Sequence, residues 1–73
     1  MLVQTIDARG LKCPQPVLKI IAVSIKMKAG DIIEILGDCA TFEKDLKDWC
    51  RRSKKILMWI KEEAGSKKAQ ILF

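Results

Sequence analysis

The chain has 73 residues, a net charge of +5 and no histidine. This length predicts one domain over residues 1–73 with a thin core, because a chain of this size buries only about 60% of its extended surface. No apolar run reaches membrane-spanning length and residues 1–6 lack the basic start of a signal peptide, so we expect a cytoplasmic protein without membrane contact.

Hydrophobic periodicity and the positions of glycine and proline divide the chain into six elements: a strand over residues 3–6, a helix over residues 14–28, a strand over residues 31–36, a helix over residues 39–52, and strands over residues 56–63 and 68–73. The order βαβαββ predicts an α/β (α+β) two-layer sandwich, in which a mixed four-stranded sheet carries both helices on one face. With a right-handed parallel crossover in the first βαβ unit, both helices begin at the same edge of the sheet.

Cys13 lies where the first strand gives way to the first helix. Pro14 and Pro16 fit the first turn of a helix, which places Cys13 at or just before the N-cap. There it would face free backbone N–H groups and the positive end of the helix dipole, and such sites lower a cysteine pKa from about 8.5 to roughly 3.5–7.5. We therefore expect a reactive thiolate, the alternative being a small turn residue that only caps the helix.

The charged residues near Cys13 act in both directions. Arg9 and Lys12 favour its thiolate, whereas Asp7 opposes it. Pro16 stands where a C-x-x-C motif would have its second cysteine, so no redox partner is close in sequence.

Cys13, Cys39 and Cys50 are odd in number and widely spaced, which argues against a disulfide framework and suits a reducing compartment. Without histidine, three separated thiols also do not predict a metal site. Cys39 is a possible second thiol, expected at the same edge of the sheet as Cys13. However, helices pack about 8–10 Å apart and a disulfide requires Cα atoms within about 7 Å, so the sequence favours a small, partly buried residue there.

The second helix has an expected N-cap at Asp38 or Thr41 and an apolar stripe that includes Cys50, which is therefore expected in the core. Its C-terminal end carries the basic run of residues 51–55, most simply a solvated helix end whose cations complement the dipole. A nucleic-acid surface is the alternative, but no aromatic residue interleaves with the run. An acidic protein partner would be attracted by the same charge.

Residues 7–17, Asp-Ala-Arg-Gly-Leu-Lys-Cys-Pro-Gln-Pro-Val, resemble the signature of the TusA/SirA sulfur-carrier family, a C-P-x-P motif preceded by D-x-R/L-G-L-x. Gly30 and Asp31 resemble the family's turn before its second strand, and Asp38 resembles its acidic residue ahead of the second helix. The resemblance covers nearly the whole chain and implies the same βαβαββ sandwich that the element order predicts.

This resemblance implies that Cys13 carries sulfur as a persulfide, in a relay rather than as a stand-alone catalyst, and without metal or organic cofactor. A cysteine desulfurase, a rhodanese-like protein or an inorganic sulfur species would supply the sulfur. A DsrE-like or other thiol-bearing protein would accept it, and tRNA would take part only indirectly. The residues implied to support Cys13 are Arg9, Gly10, Lys12, Pro14, Pro16 and Asp38.

Cys39 stands where many members of that family have a proline, which leaves open whether a second thiol takes part. The pathway is also open among tRNA thiolation, cofactor sulfuration and sulfur oxidation. Two functions of other classes remain. One is a basic RNA-binding module in which Cys13 is a turn residue, and the other is a thiol enzyme or redox sensor, for which Cys39 is the sole candidate partner.

Overall fold

The computed structural model describes residues 2–73 and contains the six elements in the predicted order. They are β1 (Val3–Asp7), α1 (Gln15–Ser24), β2 (Ile32–Gly37), α2 (Phe42–Ser53), β3 (Ile56–Glu63) and β4 (Ser66–Leu72). Two helices and a four-stranded mixed sheet confirm the α+β two-layer sandwich.

The sheet has the strand order β1-β2-β4-β3, so β2 lies in its interior as its β-branched run predicts. β1 and β2 are parallel, and β4 is antiparallel to both β2 and β3. Because β1 and β2 run in the same direction, Asp7 and Leu36 pair at the carboxyl ends of both strands. The chain leaves the sheet twice at that edge, once towards each helix.

The core lies between the helices and one face of the sheet. On β2, Ile33 and Ile35 are fully buried while their neighbours along the strand are only half-buried, so burial follows one face. Each such side chain contributes about 1.5–3 kcal/mol of transfer free energy. The buried hydrophobic residues are Ile6, Ala8, Ile20, Ile33, Ile35, Phe42, Leu46, Cys50, Ala69 and Ile71.

Both helices are shorter than the sequence predicts. α1 ends at Ser24, because the amides of Lys26 and Met27 donate to carbonyls three residues earlier and tighten the chain into a turn. α2 begins at Phe42, three residues after the predicted start, because residues 38–41 form the loop that leaves β2. This late start decides where Cys39 lies.

Candidate functional site

Cys13 is a half-buried residue in the loop that joins β1 to α1. The loop turns at Gly10, whose φ of +82° lies in the left-handed region that glycine adopts without steric cost. Pro14 follows through a cis peptide bond and is the N-cap of α1. Cys13 therefore lies directly before the N-cap, as the sequence predicts, while Pro14 precedes the first turn instead of belonging to it.

The first turn of α1 offers Cys13 fewer free amides than expected. Gln15 N donates to the carbonyl of Lys12 (2.8 Å), and Pro16 has no N–H to donate. Within residues 2–73, Val17 is the one amide of the first three helical positions for which the structure shows no backbone acceptor. A Cys13 thiolate would therefore receive less stabilisation from the helix end than a typical first turn provides.

A second loop, which joins β2 to α2, carries Cys39 next to Cys13. Gly37 is the last residue of β2, directly before this loop. A glycine is required there because the Phe42 ring occupies the space that a Cβ atom would fill. Asp38 Oδ1 then accepts a hydrogen bond from Gly10 N (3.0 Å), which ties the two loops together. The Cys39 carbonyl accepts from Phe42 N (3.2 Å) and connects this loop to the start of α2.

The two loops bring the sulfurs of Cys13 and Cys39 together as a disulfide, with Cα atoms 5.8 Å apart. The expectation that helix packing would keep these thiols too far apart is wrong, and so is the argument against a disulfide from the odd cysteine count. Neither cysteine lies on a helix, so the distance between helix axes does not limit them. Connecting loops at the edge of a parallel pair approach more closely than the helices behind them.

Asp45 is a third group at this site that sequence reasoning missed. Its carboxylate oxygen and both sulfurs lie within 4.8 Å of one another. Thr41 is the N-cap of α2, but its hydroxyl makes no capping bond to the backbone and instead donates to Asp45 Oδ2 (3.0 Å). The expected side-chain cap from Asp38 or Thr41 is therefore not formed. A carboxylate in the first turn of the helix that follows Cys39 was the signal that would have identified Asp45.

The donor set of two cysteine sulfurs and one carboxylate has the composition of a soft-metal site, yet the sulfurs are joined to each other. Cysteine binds a metal as its thiolate and not as a disulfide, so in this state the Asp45 carboxylate is the one remaining anionic donor of the group.

Arg9 pairs with Asp7 rather than with a sulfur. Its Nε and Nη2 donate to Asp7 Oδ1 (2.9 Å) and Oδ2 (2.8 Å) in a bidentate contact. These bonds lower the pKa of Asp7 to about 2, so both groups stay charged at neutral pH and largely offset each other. Of the two cations predicted near Cys13, Lys12 is exposed and shows no ion pair in the described chain.

An apolar surface continues from Cys13 along α1. Leu18 and Ile21 on this helix and Ile25 directly after it are exposed, Leu18 by 56% and Ile25 by 84%. A shallow groove beside the loop is lined by Leu11, Gln15, Leu18, Lys19 and Ala22. Hydrophobic side chains exposed in a row beside a reactive residue are typical of a surface that contacts another protein.

Cys50 differs from the other two cysteines. It is 3% exposed, carries a free thiol and packs in the core on the inner face of α2, as the sequence predicts. Burial raises its pKa to about 11, because the thiolate would be desolvated there. Cys50 therefore takes no part in the site.

The fold and the site define a small α/β domain with a cysteine in the loop before its first helix. A sequence profile described as "Sulfurtransferase TusA" matches residues 4–72, nearly the whole chain. The chain therefore belongs to the TusA sulfurtransferase family.

Three relatives carry the name "Putative sulfur carrier protein". One from Neisseria meningitidis serogroup A is 31% identical over 62 residues, which are 85% of this chain and 84% of that protein. One from Archaeoglobus fulgidus is 29% identical over 80% of both chains. A protein from Aquifex aeolicus is 32% identical over 93% of this chain, which spans about a third (34%) of that relative's length. Family and relatives support a sulfur-carrier role. Across residues 2–73, neither helix has the length and apolar character that crossing a membrane requires.

Proposed function

We propose that this single domain carries sulfur as a persulfide on Cys13 and passes it from a donor protein to an acceptor protein. The observation that supports this most directly is the position of Cys13, half-buried before the first turn of α1 in a chain of the TusA family. The loops hold its sulfur at the surface of a rigid sheet edge, where a second protein has access to it.

Two thiol exchanges make up the proposed cycle. The Cys13 thiolate attacks the outer sulfur of a donor persulfide, the donor S–S bond breaks, and the donor cysteine leaves as a thiolate. An acceptor thiolate then attacks the outer sulfur on Cys13, which leaves as a thiolate in turn. No net oxidation occurs in either step, and each uses protein sulfur alone.

The cycle begins from the reduced chain, so the Cys13–Cys39 disulfide must first be opened by a dithiol reductant. This requirement agrees with the expected cytoplasmic location, where such reductants are abundant. Lys12, exposed beside Cys13, supports the incoming anion, while Arg9 and Asp7 hold the loop through their ion pair.

The proposed donor is a cysteine desulfurase or a rhodanese-like protein, and the proposed acceptor is a DsrE-like or other thiol-bearing protein. The exposed apolar residues of α1 support docking of a protein rather than of an RNA. tRNA would then receive sulfur only through later carriers. Within the basic run, Arg51 pairs with Asp48 and the Lys55 Nζ stands 4.9 Å from the centre of the Phe73 ring, so part of the charge that the RNA-binding alternative would use is engaged within the chain.

A thiol redox sensor is the second candidate, and the Cys13–Cys39 disulfide is the observation that favours it. A sensor needs only to oxidise and be reduced, whereas a carrier must also gain sulfur. Sulfur loading therefore separates the two functions.

Peptide mass spectrometry after sulfur loading tests the proposal. The reduced Cys39→Ser chain, which cannot form the Cys13–Cys39 disulfide, is incubated with a cysteine desulfurase and L-cysteine, alkylated and digested, and Cys13→Ser and Cys50→Ala are each tested in that same background. We expect the Cys13 peptide to gain one sulfur atom that reductant removes, the chain with Cys13→Ser to gain none, and the chain with Cys50→Ala to load equally. Absence of added sulfur from the Cys13 peptide in both chains that keep Cys13 would leave the sensor as the better function.

A further inference from the structure

We propose, on the basis of the persulfide function above, that Cys39 discharges the sulfur inside the chain and gives it a further activity, the release of hydrosulfide from sulfane-sulfur donors. The Cys39 sulfur attacks Cys13 Sγ, which bears the outer sulfur, and the proton of the Cys39 thiol passes to that outer sulfur. A new bond forms between the two cysteine sulfurs, the bond to the outer sulfur breaks, and that sulfur leaves as hydrosulfide. The product is the Cys13–Cys39 disulfide that the structure contains.

The geometry of the two loops permits this attack without movement of the helices. The Cα atoms of Cys13 and Cys39 are 5.8 Å apart, within the range that a disulfide requires. Both side chains are half-buried, and the hydrogen bond from Gly10 to Asp38 holds their loops against each other. Groups fixed at this distance react as though present at very high concentration, so Cys39 has an advantage over any thiol in solution.

The electrons balance within the chain. The two cysteine sulfurs lose one electron each and become the disulfide, while the outer sulfur gains two electrons and leaves as hydrosulfide. A dithiol reductant then restores both thiols, and its own oxidation supplies the electrons for each further turnover. The persulfide therefore has two fates. An acceptor protein takes the outer sulfur when one is docked, and Cys39 expels it when none is.

Asp45 destabilises the loaded chain and so shortens the time that Cys13 holds the outer sulfur when no acceptor is docked. Its carboxylate lies within 4.8 Å of both sulfurs, on the helix that follows Cys39, and Thr41 holds one of its oxygens at 3.0 Å. A persulfide is an anion, so a fixed negative charge beside it raises the free energy of the loaded chain. Departure of the outer sulfur as hydrosulfide removes that repulsion.

A single-turnover experiment tests the inference. The chain is reduced, freed of reductant without air and mixed with one equivalent of glutathione persulfide, and both released hydrosulfide and intact mass are followed. We expect the parent chain to release one hydrosulfide per chain and to end as the disulfide. Cys39→Ser should accumulate the Cys13 persulfide and release hydrosulfide at least about tenfold more slowly. Cys50→Ala is the matched control and should behave as the parent.

The outcomes separate this inference from the carrier function beneath it. If the parent chain keeps a persulfide, on Cys13 or on Cys39, for as long as Cys39→Ser keeps its own, discharge by Cys39 is overturned and the carrier function stays intact. Disulfide formation without hydrosulfide also overturns it. If Cys39→Ser never gains sulfur from the donor, the carrier function itself fails. Asp45→Asn gives an independent measurement, because the persulfide should persist longer there although both cysteines are present.

Discussion

Two regions of the molecule contain cysteine, and they place the thiol group in opposite environments. At the carboxyl edge of β1 and β2, Cys13 and Cys39 are half-buried in loops beside charged groups and bonded to each other. In the core, Cys50 lies on the inner face of α2 among aliphatic side chains. The edge exposes sulfur to attack, whereas the core removes it from water and keeps it protonated.

The difference follows from the position of each residue in the fold. Buried side chains on helix faces and strand faces are surrounded on all sides, so a thiol there behaves as a small hydrophobe. Loops at the ends of parallel strands remain at the surface while a rigid sheet fixes their separation. A reactive pair of cysteines is therefore expected in the loops and an inert cysteine in the core.

The largest expected effect is in alkylation of the reduced chain at neutral pH. A pKa of about 11 against the ordinary value of 9.0 leaves Cys50 with about a hundredfold less thiolate, and its burial limits access further. The greater nucleophilicity of a high-pKa thiolate recovers less than about tenfold. We expect Cys13 and Cys39 to react more than about tenfold faster than Cys50 from thiolate content and nucleophilicity alone, and the burial of Cys50 should widen the difference, measured by peptide mass spectrometry over time.

Guanidinium-unfolded chain is the control for that experiment, since all three thiols should then react at similar rates. Equal labelling of Cys50 in the folded chain would mean that the core region is open to solvent. Slow labelling of Cys13 alone would contradict the assignment of the edge as the reactive region.

The second effect is the stability that the disulfide adds. It closes a loop with a sequence separation of 26 residues, which corresponds to about 3.5 kcal/mol in the loop-entropy model. Urea unfolding of the oxidised chain should therefore give a higher free energy of unfolding than unfolding with a dithiol reductant present. Cys50→Ala should show the same difference, and Cys39→Ser should show none. A Cys39→Ser chain that still responds to reductant would place the redox effect outside the edge.

Sequence reasoning could predict the edge region but not the bond within it. Parallel β1 and β2 were predictable from the βαβ order, and this alone places Cys13 and Cys39 at one edge. The bond was missed because the relevant distance was taken between helix axes, although α2 begins only at Phe42 and leaves Cys39 in the loop. A shift of three residues in one helix boundary therefore changes the chemistry.

The supporting contacts at the edge were also beyond the sequence. Asp45 comes near the sulfurs only through the rotation of the first turn of α2. Asp38 was predicted as a helix cap, yet its side chain reaches Gly10 across 28 residues of sequence. The burial of Cys50, by contrast, was predictable, because the apolar stripe of a helix in a two-layer fold packs against the sheet.

The smallest effect concerns Asp31, at the opposite end of β2 from the cysteine pair. Its carboxylate accepts from Leu2 N (3.1 Å) and Lys28 N (2.9 Å), and these bonds, first that from Lys28, hold its pKa below the ordinary 3.8. Because the folded pKa is lowered, the contribution of Asp31 to stability is complete above pH 3.8 and is lost as the pH falls through the lowered folded value. We expect Asp31→Asn to flatten this acid dependence in thermal unfolding measured from neutral pH down through pH 3.8 into the acid range below it. The ratio of cysteine labelling at neutral pH should stay unchanged in that variant, since Asp31 and the thiols lie at opposite ends of the strand; a changed ratio would show that the two ends of β2 are coupled.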